Sequence, residues 1–93
     1  MEVTDENLHD HLKARMVQRG ITREEIERVL AEGWEALDAK PGTLGKVMVF
    51  PYGHAWEGVS YEEKEVTVYY KSSSAGIILL TALARYGTGF PRR

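Results

Sequence analysis

The apolar positions change period once along the chain. From Leu8 to Leu30 they recur at helical spacing; from Trp34 onward they alternate or run together in short blocks. Leu8, Leu12 and Met16 stand four residues apart and predict a first helix from about Asp5 to Gln18. Thr4 is expected to cap it, with Asp5 and Glu6 at the positive end of its dipole. Gly20 is a natural left-handed stop. Thr22 and Glu25 then spell a capping box, and Ile21 is placed to staple onto Ile26. Ile26, Val29 and Leu30 form the inner side of a second helix that ends at Gly33. The short connection predicts a helical hairpin over residues 5–32.

Beyond Gly33 the pattern predicts a sheet over residues 34–86. Trp34 to Leu37 is a short strand, and AKPGTLG is a turn. Lys46 to Phe50 is a strand that Pro51 ends. GHAWEGVSYEEK reads as a loop or a ragged hairpin. Glu65 to Lys71 alternates, with Val66, Val68 and Tyr70 on one face and Glu65, Thr67, Tyr69 and Lys71 on the other. Ile77 to Tyr86 is apolar on both faces for most of its length, which suits a central strand or a helix, and its β-branched start favours the central strand. GTGFPRR, residues 87–93, is expected as a loose tail. The fold class is therefore α+β: a helical hairpin on one face of an antiparallel sheet of three to four strands, in one domain spanning 1–93. A two-helix layer covers one side only. The second face either curls closed or meets a partner, and a partner or a second copy is the expectation.

Composition narrows the chemistry. The chain has no cysteine, which excludes a disulfide framework, a thiol nucleophile and a Cys-based zinc site. His9 and His11 point to nearly opposite sides of a helix, so no metal site is expected. No cofactor is expected either. MEVTDENLHD is too polar for a signal peptide, and the run Ile77–Ala84 is too short to cross a bilayer. The expected protein is cytoplasmic, with no membrane partner. Net charge is −2, so the whole surface is not that of a basic nucleic-acid binder. Charge is segregated, however: residues 29–65 hold seven acids, and residues 66–93 hold none.

His11, Arg15 and Arg19 lie four residues apart and form one oblique row beside the apolar stripe. The row admits two readings. A histidine can move a proton at a ribose hydroxyl, and guanidinium groups can grip phosphate and steady developing charge. Alternatively, the arginines are solvated and paired with nearby acids. Thr81 interrupts an apolar strand, and Arg85 follows at the sheet's rim. Gly42-Thr43-Leu44-Gly45-Lys46 lacks phosphate-loop spacing and is read as a turn.

The series His11-xxx-Arg15-Met16-xx-Arg19-Gly20-Ile21-Thr22-xxx-Ile26-xx-Val29-Leu30, followed by a Val-x-Val-Tyr strand and by IILLTALAR, resembles a small bacterial family known as domain of unknown function 4258. The likeness runs from about residue 8 to 86. That family is itself similar to RelE/ParE-type toxins of toxin–antitoxin systems, which implies an ααββββ layout. The resemblance carries over His11, Arg15 and Arg19 as helix positions and Thr81 as the polar position in the last strand. Together they make the expected catalytic set. Lys71 and Arg85, added on charge and placement, are the expected phosphate-binding residues. Two functions follow as expectations. One is a toxin-like, metal-free endoribonuclease acting on RNA, with His11 as general acid/base. The other is a non-catalytic module whose open sheet face grips an antitoxin-like protein or a second copy of itself.

Overall fold

The computed structural model describes residues 3–92; Met1, Glu2, Arg93 and the side chain of Asp5, expected at the first helix's N-terminus, lie outside the described residues. Helix α1 spans Asp10–Arg19 and α2 spans Arg23–Glu32. The first helix starts later than its spacing predicts. Thr4 does not cap it but precedes a 3₁₀ turn over Asp5–Asn7, where its amide and hydroxyl both donate to Asn7 Oδ1. The cap of α1 is His9, whose Nδ1 accepts the Leu12 amide at 3.2 Å. Gly20 adopts φ 68°, and the amides of Gly20 and Ile21 close back onto the carbonyls of Val17 and Met16. This is the Schellman closure that a left-handed glycine permits. The capping box at Thr22 and Glu25 is complete in both directions.

Four strands follow in the spatial order β1-β2-β3-β4, all antiparallel: β1 Trp34–Glu35, β2 Leu44–Trp56, β3 Val59–Ser73 and β4 Gly76–Gly87. The α+β layout is thus as the sequence pattern predicts. Of the two readings of GHAWEGVSYEEK, loop or ragged hairpin, it is the hairpin that forms: the segment belongs to the far half of one long hairpin with an irregular register. Its strands join at Glu57-Gly58, both at positive φ (52° and 84°). Two such residues make the type I′ turn whose twist suits a hairpin. Pro51 does not end β2, which bends at an irregularity between Pro51 and His54 and continues. Ile77–Tyr86 lies in β4, an edge strand rather than a central one.

One face of the sheet carries the core. Leu8, Leu12 and Met16 from the α1 side and Ile26 and Val29 from α2 close on Phe50, Val66, Val68, Leu79 and Ala82. Leu79 and Ala82 share that face although three residues apart, because Leu80 is an extra residue in β4 where the register slips. Lys64 stands in the same inward row of β3 and is only 2% exposed. Its ammonium donates to Glu25 Oε1 at 2.8 Å and to the carbonyl of Gly20, and it lies 5.6 Å from the ring centres of both Tyr52 and Tyr86. A buried cation is tolerable only when paired and surrounded by acceptors in this way. It ties the helix–helix connection to the sheet. Gly20 also has to lack a side chain: a Cβ there would fall 2.6 Å from Trp56 and 2.7 Å from the Tyr86 hydroxyl.

Candidate functional site

The expected catalytic residues do not share one hollow. α1 packs on the inner face of the sheet, beside β4. His11 is exposed, and Arg15 lies along the same helix with its guanidinium on Gln18 Oε1 at 3.0 Å. Arg19 is engaged in structure: its Nη1 donates to the carbonyl of Ala82 at 2.8 Å, and its own carbonyl accepts from the Tyr86 hydroxyl at 2.7 Å. Thr81 and Arg85 pair across β4 with Tyr69 and Glu65, which puts them on the opposite, outer face. Lys71 follows in the same outward alternation and is exposed. Arg85 is ion-paired with Glu65 at 2.9 Å. The sheet therefore separates the helix row from Thr81, Lys71 and Arg85. His9, read beside His11 as a poor metal pair, has both ring nitrogens engaged, Nδ1 on Leu12 and Nε2 on the Leu79 carbonyl at 3.2 Å. That arrangement places the ring proton on Nε2.

What the fold does bring together is the outer face. Alternation places Val47, Thr67 and Leu83 there, with Trp34 opposite Val47. Two hollows open on this face. One, of about 300 Å³, is walled by Trp34, Leu37, Val47, Thr67 and Pro91. The other, of about 380 Å³, is walled by Lys40, Tyr69, Leu80, Thr81 and Leu83. Asp38 borders both, and its Oδ1 accepts from the Tyr69 hydroxyl at 2.9 Å. The Tyr69 ring lines the second hollow, beside the Asp38 carboxylate that borders both. It can lie across β2 because position 45 is glycine; a Cβ there would meet the ring at 3.0 Å and Ala36 at 2.9 Å. Burial, then the Asp38 carboxylate, pushes the Tyr69 phenol up to about 12. The phenol is thus held as a hydrogen-bond donor.

Comparison with protein families, curated proteins and solved structures gave no match for this chain. The site is therefore read from its own geometry. Leu37 is 84% exposed and Leu83 39% exposed at the mouths of the two hollows, large apolar groups with no helix of the described residues above them. The sheet's edges are less inviting. On β4, His9 and Arg19 already take two carbonyls. On β2, the stretch beyond β1 carries Pro51, which has no N–H, and the bend that follows it. Prolines and bulges of this kind discourage edge pairing.

The segment after β4 crosses this outer face rather than hanging loose. Glu63 Oε1 accepts the amides of Gly89 (2.7 Å) and Phe90 (3.1 Å), and Glu63 Oε2 accepts from Arg92 at 2.6 Å. Phe90 lies under the Arg85 guanidinium, 4.9 Å from ring centre to Cζ. Pro91 then reaches the first hollow. Spacing within the sequence gives no sign of this strap, because its partner carboxylate lies far back in β3.

Proposed function

We propose that this protein is a non-catalytic protein-binding module that takes a partner polypeptide on the outer face of its sheet. The observation that carries the reading is the pair of adjoining hollows on a face that no helix among the described residues covers, rimmed by exposed Leu37 and Leu83. Contiguous apolar surface of this kind, edged by polar groups, is typical of interaction sites. The blunted edges and the separation of the helix row from Thr81 and Arg85 add support. The test is a photo-crosslinking residue placed at position 83 or, as control, at Val17, an equally apolar residue 80% exposed on α1. In the native cells, polypeptide adducts are expected from position 83 and not from position 17. Equal labelling, or none at 83, overturns the reading.

A toxin-like endoribonuclease of RelE/ParE type is the second reading. The ααββββ layout and the exposed imidazole of His11 favour it. RNA incubated with wild type and with His11→Ala decides it. Cleavage lost in the variant supports the assignment; no cleavage, or equal cleavage, ends it.

A further inference from the structure

We propose that the strip of outer face beneath residues 88–92 is a docking groove for a short, turned segment of a partner protein, one in which a glycine, an aromatic residue, a proline and a basic residue follow in order. Residues 88–92 of the chain are its intramolecular occupant. The inference rests on the protein-binding reading above and specifies the partner's chemistry.

The occupant displays the recognition. Glu63 offers one oxygen to two consecutive backbone amides and the other to a guanidinium. Consecutive amides converge on one carboxylate oxygen only when the backbone turns both N–H groups to the same side, so the contact reads chain conformation rather than side chains. Arg85 reads the next feature. Its planar guanidinium, fixed by Glu65, covers the Phe90 ring, the cation–π geometry suited to any aromatic residue at that place. The ring rests against Gly87, where a Cβ would come within 3.1 Å of it. Charge supplies the third element. Glu63 and Glu65 lie under the strap, and Glu35 and Asp38 border the hollow that Pro91 enters. An incoming basic segment is favoured there, and an anionic one is repelled. The groove also outlasts its occupant. Past Pro91 it opens into the hollow floored by Val47 and Thr67 and walled by Trp34 and Leu37. A partner's segment can fill that continuation.

The strap is held by hydrogen bonds and one stacked ring at the protein surface, so a competing segment can exchange with it. The probe is a fluorescent peptide of the strap's own sequence, Thr-Gly-Phe-Pro-Arg, titrated into the full chain and followed by anisotropy. Wild type is expected to bind it weakly, because the attached strap competes at an effective concentration of order millimolar. The full chain carrying Phe90→Ala and Arg92→Ala, with its groove vacated, is expected to bind about tenfold more tightly. Adding Glu63→Gln to that chain reverses the gain. Arg85→Lys, which keeps the charge and removes the planar stack, lowers affinity for this peptide but not for one with Ala in place of Phe. A melting curve like that of wild type shows that each variant is folded; should Glu63→Gln not fold, Arg85→Lys carries the test. Equal binding by wild type and the vacated chain, or affinity indifferent to Glu63 and Arg85, overturns the proposal. So does a wild-type dimer in sedimentation that Phe90→Ala dissolves, since the occupant is then a second copy's strap. Adducts at position 83 with no peptide binding overturn this inference alone and leave the broader reading in place.

Discussion

The carboxylate of Glu25 lies 2.8 Å from the ammonium of Lys64, and the same oxygen accepts the Thr22 amide of its own capping box at 2.9 Å. One atom thus terminates a helix and neutralises a cation whose side chain is only 3% exposed. Removing either partner has unequal effects. Glu25→Ala strands a buried ammonium and breaks the box, with an expected loss of about 3–5 kcal/mol. Lys64→Met leaves behind a carboxylate that water can still reach, so a loss of about 1 kcal/mol is expected. Urea unfolding of the two variants, compared at constant slope, measures the difference.

Arg19 and Arg15 look alike in the helix row, yet the fold uses them differently. Arg19 binds the Ala82 carbonyl of the edge strand, whereas Arg15 reaches only Gln18 on its own helix. Arg19→Ala is expected to destabilise by about 2 kcal/mol, as for a charge-assisted bond that leaves a part-buried carbonyl unpaired. Arg15→Ala and His11→Ala are expected to stay within about 0.5 kcal/mol of wild type. Thermal melts of the three, taken at one pH, check the ordering.

These contrasts show what could be read from the sequence. The helices were legible because their signals are local: the capping box at Thr22 and Glu25, the stop at Gly20, the stripe of Leu12 and Met16. The start of α1 was not, because Asn7 closes a separate 3₁₀ turn and histidine is an unusual cap. The turn of the β2–β3 hairpin hid behind Glu57, a residue that seldom takes positive φ. The helix row is correct as a row, but spacing along α1 does not say which side of the sheet the helix will cover. For Thr81 the obstacle is the extra residue Leu80. Plain alternation from the buried Leu79 would turn Thr81 inward; the slip in register turns it outward. The strap depends on a carboxylate 26 residues from Gly89, a distance no local pattern spans.

Two tyrosines should resist alkali. Tyr69 and Tyr86 are each pushed from 10.0 to about 12, in both cases chiefly by burial, with Asp38 adding to Tyr69 and the neighbouring Tyr52, Glu25 and Glu57 adding to Tyr86. Folding favours the neutral phenol, so the stabilisation is complete below pH ~10 and is lost as pH rises toward 12. Phenolate absorbance is expected to show a late step near pH 12 that shrinks in Tyr69→Phe and again in Tyr86→Phe. Asp38→Asn should move the Tyr69 part of that step to lower pH, because it removes a charge that disfavours the phenolate.

Acid should release the strap before it unfolds the domain. The amide of Phe90, with further help from the amide of Gly89 and the Arg92 guanidinium, holds the Glu63 carboxyl below its ordinary 4.5. The docked strap prefers the carboxylate, so docking is fully favoured above the undocked group's value and fades as pH falls through the lowered one. Arg92 is the cation on Glu63, whereas the Arg85 guanidinium lies on Glu65. The expected result is a pH titration in which the Gly89 and Phe90 amide resonances move together toward random-coil positions, with a midpoint under that of an ordinary glutamate. Resonances of Val66 and Ile26 in the core should not move over the same range. In Glu63→Gln the two strap amides should have lost the charged acceptor at every pH and show no such step. A step that survives in Glu63→Gln would mean that another acid holds the strap.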